Sequence, residues 1–167
     1  MKFNLIDRIL ELTPGERIRA HKALTTSEEY LADHFPTFPV MPGVLMLECM
    51  VQAGCWLVRA TEDFAHSMIT LGEARNVTYK SFVSPGRVLE IMVESQAIET
   101  DHSRFTGKGF CGDVEVVKAR FDLRHTNLAD QDPALAEADV ELIQHARREF
   151  AVVGGEALIS AAGAVHQ

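Results

Sequence analysis

His34, Glu48 and Gln52 are the residues whose types and spacing can do chemistry. His34 lies in a proline-rich loop, His34-Phe35-Pro36-Thr37-Phe38-Pro39-Val40-Met41, which Pro42-Gly43 closes. An imidazole titrates near neutral pH and can act as a general base. Glu48 and Gln52 interrupt an otherwise apolar run that begins at Gly43. Four positions apart, they share one helix face, where the amide can partner the acid. A carboxylic acid in apolar surroundings can serve as a proton donor. Gly43 opens the segment, and the unpaired N–H groups of a helix start, with its dipole, suit a developing oxyanion. Each residue alone also has a plainer reading: a loop histidine held for structure, and a buried carboxylate satisfied by its amide neighbour. It is the combination that points to acid–base chemistry in a dry site.

The elements that must position these groups follow from the rest of the chain. Its 167 residues, 47% hydrophobic and 24% charged, suit one folded domain and exclude disorder. The formal net charge of -8 speaks against a nucleic-acid surface. Three cysteines, Cys49, Cys55 and Cys111, cannot all pair, so reduced thiols and a cytoplasmic location are expected. Residues 1–8 lack the apolar run of a signal peptide. The segment 40–58 is apolar enough to raise a membrane question. A carboxylate at mid-span costs about 2.5–3.5 kcal/mol on insertion scales, so a helix buried in a soluble protein is expected, without membrane insertion.

Residues 17–24 alternate as a strand does, and Thr26 or Ser27 is placed to cap a short helix over 28–31. One long helix is expected from Gly43 to about Glu62, with Trp56 on the Glu48 face and Arg59 at its solvent-facing end. Residues 67–71, 76–80, 88–94, 103–111 and 115–123 then read as strands separated by turns such as Ser84-Pro85-Gly86 and Gly112-Asp113. Consecutive short strands favour antiparallel pairing, which gives an α+β domain with the sheet wrapped round one long central helix. The tail from 126 to 167 changes character. Asp132-Pro133 starts a helix, and Leu135, Leu142, Ile143, Ala146 and Phe150 make an apolar stripe ended by Gly154-Gly155. A first domain over 1–125 and a mostly helical extension over 126–167 are therefore expected. The histidines His21, His66, His102, His125, His145 and His166 show no metal-ligand spacing, and neither metal nor cofactor is expected.

His34-Phe35-Pro36, Pro39-Val40-Met41-Pro42-Gly43 and Leu47-Glu48-x-Met50-x-Gln52 resemble the signature of the hotdog-fold 3-hydroxyacyl-acyl-carrier-protein dehydratases. Glu48 is similar to the acid of the glutamate-type branch; the dehydratase/isomerase branch carries aspartate there. The block from Asn76 to Gly86 resembles the strand that leads into the family's Pro-Gly turn. The resemblance implies the hotdog fold and reversible dehydration of (3R)-hydroxyacyl groups on acyl carrier protein to trans-2-enoyl thioesters. It implies His34 as base, Glu48 as acid, the Val40 carbonyl and Gln52 as orienting groups, and Gly43 in the oxyanion site. Phe35, Met41, Met46 and Trp56 are candidates for an acyl tunnel or for plain core. Arg75, Lys80 and Arg87 are candidates for docking the acidic carrier or for solvated strand ends. The resemblance further implies a homodimer, with a trimer of dimers as an option, whose sites take the histidine from one subunit and the carboxylate from the other. Departures stand at Asp33 and Thr37, where the family has glycine, at Phe82, where proline is common, and at Arg87, where aspartate is common. An acyl thioesterase using Glu48, or a non-catalytic acyl-binding subunit, are the alternatives.

Overall fold

The computed structural model describes residues 3–164. Alternation of buried and exposed side chains makes the strands: β2 (Arg17–Ala23) turns Ile18, Ala20 and Lys22 inward, and β5 (His102–Cys111) turns Ser103, Phe105, Gly107 and Gly109 inward. With β1 (Arg8–Thr13), β3 (Met68–Tyr79), β4 (Val88–Ile98) and β6 (Val114–Thr126) they form one six-stranded antiparallel sheet. Its order is β1-β2-β4-β5-β6-β3. The expected α+β hotdog arrangement, a sheet around one long helix, is what the chain forms.

That helix is α1 (Gly43–Thr61), which begins and ends within a residue of the expected bounds. Pro42 has no hydrogen-bonding side chain, and α1 carries no side-chain cap at its start. By length and composition α1 could cross a membrane, yet it buries Met46, Cys49, Met50, Ala53, Leu57 and Val58 in the core. Helix and sheet meet closely because both sides carry glycine. A Cβ on Gly107 would lie 2.7 Å from Met50 Sδ, and one on Gly54 3.0 Å from the Phe121 ring.

Four expectations need correction. Residues 67–71 and 76–80 belong to one strand, β3, whose pairing with β6 slips at Leu71/Glu73 and again at Arg75/Thr78. Asn76 takes a left-handed φ of 52° at the second slip, which breaks the alternation without ending the strand. The short helix after β2 is a 3-10 turn over Glu29–Ala32, and neither Thr26 nor Ser27 caps it. Arg59 is not a solvent-facing end: it is half-buried, stacks over the Trp56 ring at 5.5 Å and donates to the Ser67 carbonyl at 3.4 Å. His66 and His125, apparently scattered, are drawn together onto Glu62 by the fold.

Beyond β6 come two 3-10 turns, Leu128–Asp130 and Pro133–Leu135, then α2 (Ala136–Val152) and α3 (Gly155–Ala164). The α2 stripe faces α1 with Ile143, Ala146 and Phe150, while Leu135 is exposed. The Phe150 ring sits 5.6 Å from Trp56 and 5.5 Å from Phe64. Asp139 is buried and accepts from Ser67 Oγ and from the Leu128 and Ala129 amides at 2.8 and 2.9 Å. The chain then returns to the sheet edge, where the Ile9 amide of β1 donates to the Val153 carbonyl at 2.8 Å.

Candidate active site

The loop before α1 holds His34 by its own backbone. The His34 amide donates to Tyr30 O at 3.0 Å, the Val40 amide to His34 O at 3.2 Å and the Met41 amide to Val83 O at 2.9 Å. The His34–Phe35 peptide is cis. His34 Nδ1 lies 3.0 Å from the Val40 carbonyl. A carbonyl only accepts, so Nδ1 carries the proton and Nε2 presents its lone pair outward. The imidazole is half-buried and stacks on the exposed Phe35 ring, centroids 4.2 Å apart.

Glu48 is half-buried on α1. Gln52 Nε2 donates to Glu48 Oε1 at 2.9 Å and to the Phe3 carbonyl at 2.9 Å. Gln52 Oε1 accepts from the Leu5 amide at 2.8 Å. That set of partners fixes which way the amide points, and it ties down Glu48 Oε1. At the helix start the Leu45 and Met46 amides turn back to Pro42 O at 3.0 and 3.3 Å. The Gly43 and Val44 amides stand ahead of them, in the first turn. Gly43 packs flat against Tyr79 of β3: a Cβ there would lie 3.0 Å from that ring.

A cleft of about 470 Å³ runs along this face of α1. Glu48, Gln52, Trp56 and Arg59 line one wall, Ile69 and Leu71 of β3 another, and Leu142 and His145 of α2 the third. Within one chain His34 and Phe35 do not line it, and Met41 and Met46 lie in the core at 1% and 2% exposure. So Glu48, Gln52 and Trp56 are brought together, and the histidine loop is not. Arg59, the β3 residues Ile69 and Leu71, and the α2 residues are lining that sequence reasoning missed. Arg59 follows Glu48 at positions that continue one helix stripe, a signal present in the spacing; nothing local places α2 there.

Each of the three basic candidates already has a partner of its own. Arg75 pairs with Asp122 at 2.7 Å, Lys80 with Glu115, and Arg87 Nε with Cys111 Sγ at 3.3 Å. The sheet's outer face instead carries a strip of Lys108, Lys118 and Arg120, with Lys108 and Lys118 directly opposite each other. The cysteines are all free and buried. Burial pushes the Cys55 thiol up to about 12 and raises Cys49 further.

Comparison with known proteins gives the chain's family. The family model described as a FabA-like domain matches residues 1–120. The 3-hydroxyacyl-acyl-carrier-protein dehydratase FabZ of Clostridium kluyveri is 36% identical over 107 residues, 64% of this chain and 73% of that one. FabZ of Symbiobacterium thermophilum is 33% identical over 132 residues, 79% of this chain and 93% of its own. Among solved structures, the dehydratase heterocomplex ApeI:P of Xenorhabdus doucetiae matches with a TM-score of 0.64 at 15% identity, covering 80% of this chain and 90% of that one. A hypothetical thioesterase with coenzyme A from Streptococcus pneumoniae matches with a TM-score of 0.55 at 13% identity, covering 71% and 84%. At such identities the structures speak for the fold alone, whereas the family match and the sequence relatives reach further: the chain belongs to the FabA-like family and, within it, with the FabZ 3-hydroxyacyl-acyl-carrier-protein dehydratases.

Proposed function

We propose that this protein is a hydro-lyase that reversibly dehydrates (3R)-hydroxyacyl thioesters on acyl carrier protein to trans-2-enoyl thioesters, in fatty acid biosynthesis. The observation that carries this reading is the pair of prearranged groups. The Val40 carbonyl holds His34 Nδ1, and Gln52 holds one oxygen of Glu48. His34 Nε2 takes the α proton, and the first-turn amides at Gly43 stabilise charge on the thioester oxygen. Glu48 Oε2–H protonates the β hydroxyl as it leaves as water. The new C=C bond takes the electron pair of the broken C–H bond as the C–O bond gives its pair to the departing oxygen. Positioned acid and base each contribute ~10²–10⁴-fold.

The site is completed by a second copy of the chain. β1 has its outer edge engaged by Val153, whereas β3, 12 residues long, is the terminal strand at the opposite edge. No described element pairs with its outer side. A long uncovered edge, with Leu71 42% and Tyr79 45% exposed, calls for a partner. Pairing of β3 with its copy brings the partner's histidine loop to the Glu48 cleft. The acyl chain then lies along Gln52 and Trp56, with Phe35 at the mouth and the acidic carrier on the basic residues around it. Buried, free cysteines fit a reducing cytoplasm.

The test is hydration of crotonyl and longer trans-2-enoyl thioesters on carrier protein and on coenzyme A, followed by loss of the conjugated absorbance. Water addition is expected, faster on the carrier. A flat trace at every length and on both carriers overturns the assignment, and release of free thiol instead would identify a thioesterase.

A further inference from the structure

Two imidazoles and one carboxylate converge away from the Glu48 cleft. Glu62 follows α1, His66 lies in the loop before β3, and His125 stands near the end of β6, 63 positions from Glu62. His66 Nδ1 is 2.9 Å from Glu62 Oε2, and His125 Nδ1 is 3.1 Å from Glu62 Oε1. The three ligand atoms all lie within 4.8 Å of one another. The side chains of Glu62 and His66 are 15% exposed and that of His125 0%, so the cluster is largely enclosed.

We propose that Glu62, His66 and His125 form a zinc-binding site. Two imidazoles and a carboxylate are a donor set zinc takes, with water in the fourth position. Ligands ~2.0–2.1 Å from a tetrahedral ion stand roughly 3.3 Å from each other; here each imidazole lies 2.9 or 3.1 Å from an oxygen of Glu62, and all three ligand atoms fall within 4.8 Å of one another. The far side of the buried ring is already served: His125 Nε2 lies 2.8 Å from Ser103 Oγ. A hydroxyl can accept from that N–H once Nδ1 binds metal, which fixes the ring as metal-bound histidines require. The loop is also set in place. Asp63 and Phe64 take consecutive left-handed φ values of 49° and 61°, which turns the chain sharply after α1 and returns His66 to Glu62. The ion would bind together the end of α1, the approach to β3 and the end of β6, next to Ser67, Asn127 and Asp139, where the extension is fastened.

The whole protein, stripped with a chelator and dialysed, is titrated with zinc by calorimetry and with cobalt by visible absorption. One equivalent per chain is expected, with the intense d–d bands of a tetrahedral cobalt site. At a hundredfold excess of free zinc over Kd, Tm rises by about 5–10 °C. His66→Ala and Glu62→Gln each weaken zinc binding at least tenfold. Because His66 is partly exposed, His66→Ala retains the wild-type circular dichroism spectrum. His21→Ala, on a surface histidine outside the cluster, leaves zinc affinity unchanged. Zinc bound equally by the His66→Ala and Glu62→Gln variants, octahedral cobalt, or no saturable binding in the micromolar range overturns the proposal.

Discussion

Gln52 ties down one oxygen of Glu48: its amide engages Oε1 and is itself pinned by Phe3 and Leu5. Replacing His34 by alanine or Glu48 by glutamine therefore lowers kcat by ~10²–10⁴-fold with the fold intact. Gln52→Leu removes one orienting bond and lowers kcat by roughly tenfold, the equivalent of one hydrogen bond, while KM changes little. Steady-state kinetics on a crotonyl thioester separates the three. The thiols give a second outcome at this scale. Burial holds Cys55 at about 12 and Cys49 higher, so neither carries appreciable thiolate at pH 8. Iodoacetamide at that pH leaves both unlabelled in the native protein and labels them in urea, as peptide mass spectrometry will report. The pairing of Glu48 with Gln52 was legible because it is a helix spacing. The rest of the network was not: Gln52 meets Phe3 and Leu5 across 49 and 47 positions, and no local pattern announces such contacts.

Elements were legible where their ends carry punctuation. Proline and glycine at 42 and 43 start α1, and glycines at 86 and 112 with left-handed φ turn the chain into β4 and β6. β3 was misread as two strands because its slips near Gly72 and Asn76 interrupt the period-2 pattern that a reader follows. The extension shows the same contrast. Its helix was visible in the apolar stripe, but its seat depends on tertiary partners, chiefly Phe150 between Trp56 and Phe64. Phe150 is 3% exposed, and Phe150→Ala costs about 3–5 kcal/mol. At ~2–4 °C per kcal/mol, calorimetry should show Tm lowered by roughly 6–20 °C. Asp139 adds a pH dependence. Burial alone would raise its pKa, but hydrogen bonds from Ser67, Ala129 and Leu128 outweigh that and hold it below the ordinary 3.8. A depressed carboxylate contributes stability that is present above its unfolded pKa and lost as pH falls through the lower folded value. Amide exchange over residues 128–152 should therefore stay slow from neutral pH to about 4 and rise below it, after correction for intrinsic rates. Asp139→Asn makes the rise smaller.

For the whole molecule, the decisive fact is that the two prearranged groups do not meet within one chain: the cleft gathers Glu48, Gln52 and Trp56 and leaves His34 outside. A shared site is proposed from sequence only through resemblance, since no spacing in one chain encodes a contact between two. The edges of the sheet are consistent with it: β1 is engaged by Val153, and among the described residues nothing pairs with the outer side of β3. If β3 pairs with its copy, each dimer holds two sites, each built from one chain's histidine and the other chain's glutamate. Light scattering should then give twice the mass of the 18.5 kDa chain, or a multiple of that dimer. Unfolding His34→Ala and Glu48→Gln proteins together and refolding the mixture tests the sharing itself. In a mixed dimer both defects fall in the same site, and the other site is whole. About half of the dimers formed are mixed, and each carries one good site of two, so about a quarter of wild-type hydration returns from two inactive parents, by the combinatorics of a two-fold dimer. If each site were built within one chain, every site in the mixture would keep a defect and no activity would return. A Lys placed on the exposed β3 edge, Leu71→Lys, should abolish both the dimer and the recovery, because it puts a charge on the edge that pairing would cover.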